Sequence, residues 1–164
     1  MNKQRKKLGL FSLLLLIVYF CVVVYFFFFS DRLGRSQGYS TYRYNLVLFA
    51  EIRRFIIYRN RVSLEAFLLN LVGNLLVFFP VGFLIPILRL KKTGCIRIMI
   101  YSFLFSLCIE TLQLVTRVGV FDVDDLLMNT AGGLIGWSCC QLSWFVYHKF
   151  MAYQEKRKKG KGSA

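Results

Sequence analysis

The sequence predicts an all-α integral membrane protein, built as a four-transmembrane-helix bundle with an interfacial amphipathic helix in the first outer loop. Hydrophobic residues make up 57% of the chain, well above the fraction in soluble domains. They occur in long blocks that are nearly free of charge, and about 20 apolar residues in a helix cross the hydrocarbon core of a bilayer. The four blocks are residues 8–29, 66–88, 98–115 and 126–147.

The distribution of charge favours a membrane surface over nucleic acid as the partner. The chain has 22 lysines and arginines against 8 acidic residues, a net charge of +14. Most of the basic residues precede the first block, lie between the second and third, or follow the fourth. Positive residues accumulate on the cytoplasmic side of membrane proteins. Both termini are therefore predicted to be cytoplasmic, with the basic clusters close to lipid headgroups.

The first block follows a short basic segment, as in a signal peptide, but it is longer than a signal h-region and lacks a small-residue cleavage site. It predicts an uncleaved anchor. In the first outer loop, residues 44–58 place apolar side chains on one helical stripe and their charges largely off it, which predicts a surface helix rather than a fifth span. The predicted membrane domain is 1–148, and 149–164 is expected to be a disordered, basic cytoplasmic tail.

Polar residues concentrate between the third and fourth blocks. Glu110, Gln113 and Arg117 are spaced to share one helical face. A charged residue at the centre of a span costs roughly 2.5–3.5 kcal/mol on insertion scales, so an acid there usually faces the interior and marks a functional site. The structural alternative is an ion pair between Glu110 and Arg117.

Three aspartates, Asp122, Asp124 and Asp125, follow in the next loop. Either Asp124 or Asp125 is placed to cap the fourth helix, where its charge suits the positive helix end. Neighbouring carboxylates repel each other, so two or three of them could instead attract a cation or a basic partner. Mg²⁺ or Ca²⁺ is chemically possible, although EF-hand spacing is lacking. Asn129, a turn after Asp125, can point back to these acids.

The second and fourth blocks carry further polar and small residues. Asn70 and Asn74 lie one turn apart, and they are expected either to hydrogen-bond between helices or to line the same pocket as Glu110. Gly132 and Gly136 form a small-xxx-small pattern, which predicts close helix packing.

Three segments together resemble the VanZ-like family of bacterial membrane proteins: YNLVLFAEI, NLVGNLLVFFPVGFLIP and ETLQLVTRVGVFDVDDLLMNTAGGLIG. The resemblance covers roughly residues 10–148, with one departure, Leu48 where members often have proline. It implies a contribution to resistance of Gram-positive bacteria against teicoplanin-like lipoglycopeptide antibiotics. It also implies special roles for Asn70, Gly73, Asn74, Pro80, Gly82, Glu110, Gln113, Arg117, Asp122, Asp124, Asp125, Asn129 and Gly132 or Gly133.

Three functions are compatible with these observations. The first is a non-enzymatic envelope protein that alters surface lipids or drug binding through an outer polar pocket. The binding residues would be Asn70, Asn74, Gln113, Arg117, Asp124 and Asn129.

The second is an integral-membrane enzyme acting on a lipid-linked cell-wall precursor. Glu110 would be the general acid/base, Asp122, Asp124 and Asp125 a second acid set or cation ligands, and Arg117 a phosphate clamp. Among the acids, Glu110, Asp122 and Asp125 are the catalytic candidates. The third function is a small transporter, which would have to oligomerise.

Overall fold

The computed structural model describes residues 3–29, 40–58, 64–89 and 93–161. Most of the described residues are helical. The described residues form helices α1 (Lys3–Phe29), α2 (Ala50–Ile57), α3 (Leu64–Arg89), α4 (Cys95–Thr116) and α5 (Val123–Lys161), and two short strands, β1 (Tyr44–Asn45) and β2 (Phe121–Asp122).

Two of these helices contain segments that are long and apolar enough to cross a membrane, Leu71–Leu88 in α3 and Cys95–Thr116 in α4. A shorter apolar stretch, Gly9–Tyr25, lies within α1. The predicted fold class is therefore confirmed as helical with two candidate membrane spans. The full set of four spans stays a prediction.

Helices α3 and α5 approach each other at glycines. A Cβ atom placed on Gly132 would collide with the carbonyl of Leu75, and one on Gly136 would collide with the carbonyl of Phe79. Gly82 of α3 lies in the same way against the Gly133 carbonyl of α5. Only residues without a side chain let two helix backbones come this close. The predicted packing role of Gly132 and Gly136 matches this geometry.

Helix α1 is joined to α3 by hydrogen bonds to main-chain carbonyls. The Ser12 hydroxyl donates to the Leu84 carbonyl at 3.1 Å, and the Tyr19 hydroxyl donates to the Val77 carbonyl. The apolar core beside these bonds consists of Val23, Phe78, Val81 and Ile109.

The segment predicted as a surface helix over residues 44–58 is helical only from Ala50 to Ile57. Tyr44 and Asn45 instead form β1, which pairs in parallel with β2. The Arg43 carbonyl also accepts the Phe121 N–H at 3.0 Å. The main chain of residues 43–45 therefore bonds to β2, which is distant in the sequence. Phe49, which precedes the helix, is in the left-handed conformation with φ 60°.

The last helix also differs from expectation. A disordered tail was expected from residue 149, whereas α5 continues to Lys161. The residues beyond 148 include Met151, Ala152, Gln154, Glu155 and Lys156, which are strong helix formers. Their intrinsic preference explains why the helix does not stop where the apolar block ends.

The glycine contacts predict a sharp contrast between two substitutions. Gly136→Ala should lower the free energy of unfolding by about 1–3 kcal/mol, because the new methyl group overpacks the α3–α5 contact. Gly73→Ala is the matched control, since a Cβ at Gly73 meets nothing within 4 Å. It should be neutral, or stabilise by up to about 1 kcal/mol through helix propensity. Thermal unfolding in detergent, followed by circular dichroism, measures both, and equal melting temperatures would contradict the packing assignment.

Candidate functional site

Asp122 is the centre of a buried polar cluster where α4 ends and α5 begins. Its Oδ2 accepts a hydrogen bond from the Asn45 side-chain amide at 3.0 Å, and its Oδ1 accepts the Asp124 N–H at 2.8 Å. Its own N–H donates to Glu110 Oε2 at 3.1 Å. One residue thus connects β1, α4 and α5, and only 8% of its surface is exposed.

The bond from the Asp124 N–H identifies Asp122 as the residue that caps α5. The helix begins at Val123, so Asp122 occupies the N-cap position and Asp124 the second helical position. A carboxylate there satisfies a main-chain donor that has no partner within the helix. The sequence assigned this role to Asp124 or Asp125, and that assignment was wrong because the helix begins earlier than expected.

Glu110 lies at the inner end of this cluster and is fully buried. It belongs to a buried row on α4 with Ser102, Ser106 and Gln113, as the predicted shared face requires. A buried carboxylate is costly unless it accepts hydrogen bonds, and the Asp122 N–H supplies one. The same bond holds the start of α5 against α4.

Asp124 and Asp125 connect the first turn of α5 to two further elements. The Phe49 N–H donates to Asp124 Oδ1, which holds the start of α2 against α5. The Asn74 side-chain amide donates to Asp125 Oδ1, which joins α3 to the same turn. The predicted proximity of Asn74 to the acidic residues is therefore present. The Asn70 side chain lies outside the part of the chain that the structure describes.

Arg117 does not join the buried row, because α4 ends before it. Its φ of 57° is left-handed, its N–H donates to the Leu114 carbonyl at 3.1 Å, and the Val118 N–H donates to the Gln113 carbonyl at 3.1 Å. This bonding pattern is a Schellman helix end, with arginine where glycine is usual. The exposed guanidinium lies 4.5 Å from the centre of the Tyr42 ring, a cation–π distance.

Asn129 and Gln113 are buried as expected for interior polar residues, but Asn129 contacts α4 rather than the aspartates. Its side-chain amide donates to the Ser106 hydroxyl at 2.8 Å. Gln113 packs against Gly119, where an added Cβ would lie 3.0 Å from the Gln113 Cβ. Both residues join α4 to the elements that follow it.

A partly open groove runs beside the cluster. One side is polar and carries Asn74, Asp124 and Asp125, and the rest is apolar. The apolar lining consists of Phe49, Ile52, Phe67, Leu71 and Met128. The groove therefore lies between α2, α3 and α5, with an apolar wall beside two carboxylates.

Asn45 and the Phe49 N–H were not identified from the sequence. Asn45 lies within one of the family-like segments, but no local pattern shows that it meets Asp122, which is 77 residues away. The Phe49 N–H is a main-chain group, so the identity of the residue does not indicate that it binds Asp124.

Metal binding by the aspartates stays a prediction. Within residues 3–29, 40–58, 64–89 and 93–161, no group of three histidine, cysteine or acidic side chains is arranged to hold a metal ion. Oxygens of Asp122, Asp124 and Asp125 accept hydrogen bonds from N–H donors instead. The arrangement is that of carboxylates organising a turn.

The fold and the site define a helical membrane protein with a buried acidic cluster where α4, α5 and the 43–49 segment meet. The sequence profile of the VanZ/LLP1 family matches residues 13–145, most of the chain, so the chain belongs to this family. It is similar to Protein VanZ of Enterococcus faecium, with 29% identity over 74 residues. That alignment covers 45% of each protein, so it spans less than half of the relative's length. No solved structure matches the chain.

The three bonds of Asp122 predict strong coupling with Asn45. Asp122→Ala removes the cap, which by itself costs about 1 kcal/mol, and leaves the Asn45 amide without its acceptor. In a double-mutant cycle with Asn45→Ala, the effects of the two substitutions on the free energy of unfolding should be non-additive by about 0.5–3 kcal/mol. Unfolding in mixed detergent micelles measures the cycle. Glu155→Ala, on an exposed face of α5, is the control and should change little; strictly additive effects of Asp122 and Asn45 would contradict the contact.

Proposed function

We propose that this VanZ/LLP1 family protein lowers susceptibility to teicoplanin-like lipoglycopeptides by altering cell-surface lipid or drug binding. Family membership supports the resistance role. The observation that carries the mechanism is the groove in which Asn74, Asp124 and Asp125 face an apolar wall. Lipoglycopeptides and membrane lipids share the required chemistry, because each joins a polar part to an acyl chain.

The proposal includes a topology of four spans with both termini in the cytoplasm. Helices α1, α3, α4 and α5 have 27, 26, 22 and 39 residues. At about 1.5 Å per residue, each is long enough for a hydrocarbon core of about 30 Å. Four passes from a cytoplasmic N-terminus put the α4–α5 turn, and with it the cluster and the groove, on the outer face. A lipid-anchored drug would meet the protein there.

An enzyme with Glu110 as general acid/base is the second candidate. Its support is the full burial of Glu110 beside Asp122, a setting in which acids are often tuned for proton transfer. The groove favours the binding function instead, since its described lining includes Asp124 and Asp125 but not Glu110. A substrate in this groove would contact Asp125 first and would reach Glu110 only after a rearrangement.

Glu110→Gln removes the Glu110 carboxyl group while keeping its hydrogen-bond geometry. Glutamine keeps a side-chain oxygen that can accept the Asp122 N–H, so the fold should persist without the carboxyl group. A sensitive Gram-positive host would express the parent, Glu110→Gln or the control Glu155→Gln at matched membrane levels. Susceptibility to teicoplanin and vancomycin is then compared. We expect teicoplanin-selective protection from the parent and the control. Retention of protection in Glu110→Gln would favour binding in the groove, whose described lining lacks Glu110, and its loss would favour the enzyme. No protection by the parent would overturn the proposal.

Filling the groove tests the place of binding. Leu71→Trp puts a larger side chain on the groove wall, whereas Leu76→Trp makes the same change at a position that is 64% exposed. Drug binding to the surface of intact cells, measured with fluorescent teicoplanin, should return toward the empty-vector level with Leu71→Trp and stay at the parent level with Leu76→Trp. If both variants behave like the parent, the groove is not the site.

A further inference from the structure

The segment of residues 42–58, here called the outer strap, is bound to the protein by its main chain and exposes its side chains. Its backbone is fixed by pairing with β2 and by the Phe49 N–H bond to Asp124. Asn45 adds a side-chain bond to Asp122. The large apolar side chains that remain exposed are Tyr42, Tyr44, Leu46, Val47, Leu48, Phe49, Ile56, Ile57 and Tyr58.

Exposed apolar side chains at this density need a non-aqueous neighbour. The strap cannot cross a bilayer, because α2 has 8 residues and a length of about 12 Å. One side of α2 contacts the protein, where Phe55 stacks on Phe67 at 4.3 Å. The other side leaves Ile56 and Ile57 exposed, which is the arrangement of a helix lying in the interface of a membrane.

Among the described side chains at this end of the protein, most of the acids are buried and the arginines are exposed. The carboxylates of Glu110, Asp122 and Asp124 are buried and hydrogen-bonded inside the cluster. Cations are exposed on the strap and beside it, at Arg43, Arg53, Arg54 and Arg117. The described surface around the apolar side chains is therefore cationic, although acids are abundant in the same stretch of sequence.

We propose that the outer strap is a docking site for anionic phospholipid headgroups, with Arg53 and Arg117 as principal cationic contacts. Arg53 lies one turn before Ile57, so its guanidinium reaches the headgroup layer while Ile57 enters the acyl region. Stacking on Tyr42 holds Arg117 beside the strap. Guanidinium groups bind phosphate through paired N–H donors, which matches a phospholipid phosphate. The inference does not require the resistance function.

A tryptophan introduced into the strap can report which lipids lie against it. The full chain carrying Tyr58→Trp is reconstituted in vesicles that contain acyl-brominated phosphatidylglycerol or, at the same fraction, acyl-brominated phosphatidylcholine. Brominated chains quench tryptophan on contact, and the parent, with Tyr58 unchanged, gives the background from Trp137 and Trp144. The titration yields the relative binding constant of the anionic lipid at the strap.

We expect phosphatidylglycerol to quench the emission of the introduced tryptophan more strongly, with a preference that falls as salt is added. Arg53→Gln and Arg117→Gln should each weaken the preference roughly fivefold, which corresponds to about 1 kcal/mol per basic residue. Arg53→Lys should keep only part of it, because lysine retains the charge but lacks the paired N–H donors. Lys156→Gln, on the distant part of α5, is the charge-matched control and should leave it unchanged.

Two results would overturn the proposal. Equal quenching by both brominated lipids would show that the strap has no headgroup selectivity. Absence of quenching by either lipid would show that the strap does not enter the membrane interface. Absence of drug protection by the parent protein has no bearing on either result, so the two proposals fail separately.

Discussion

The whole acidic end of the protein depends on a single constraint, the need to satisfy main-chain donors at the turn between α4 and α5. The first N–H groups of a helix have no partner within it. Here carboxylates accept hydrogen bonds from the main-chain N–H groups of this turn. Asp122 accepts from the Asp124 N–H, and Glu110 accepts from the Asp122 N–H. Burying a carboxylate or an N–H group without a partner is unfavourable, and a hydrogen bond between the two offsets the desolvation penalty of both. The acids are thus first of all structural partners of the turn.

The glycine contacts set the register on which this network depends. Leu75, whose carbonyl lies against Gly132, directly follows Asn74, which donates to Asp125. Gly132 comes two helical turns after Asp125, so the close crossing of α3 and α5 and the Asn74 bond fix the same alignment of the two helices. A shift of one turn, about 5.4 Å, would separate Asn74 from Asp125. Packing in the helical core therefore determines the shape of the groove.

The sequence was informative wherever a local rule applied. Helical spacing predicted that Glu110 and Gln113 share one face, and small residues predicted the close approach at Gly132 and Gly136. The errors arose where a distant partner decided the structure. Tyr44 and Asn45 pair with β2 instead of forming the predicted helix, and the cap is Asp122 because α5 begins directly after β2. Arg117 does not lie on its predicted face, because the helix ends before it in a Schellman motif. The sequence does not indicate this end, since the position usually occupied by glycine is an arginine.

Three acids of the cluster, Glu110, Asp122 and Asp124, are buried, whereas the arginines on and beside the strap are exposed. In the proposed orientation, an amphiphile in the outer leaflet would meet the cationic, apolar strap before it reached the groove. Phe49 belongs to both surfaces, because its N–H binds Asp124 while its side chain lines the groove. The strap and the groove therefore share Phe49, and its main-chain bond to Asp124 holds both against the start of α5.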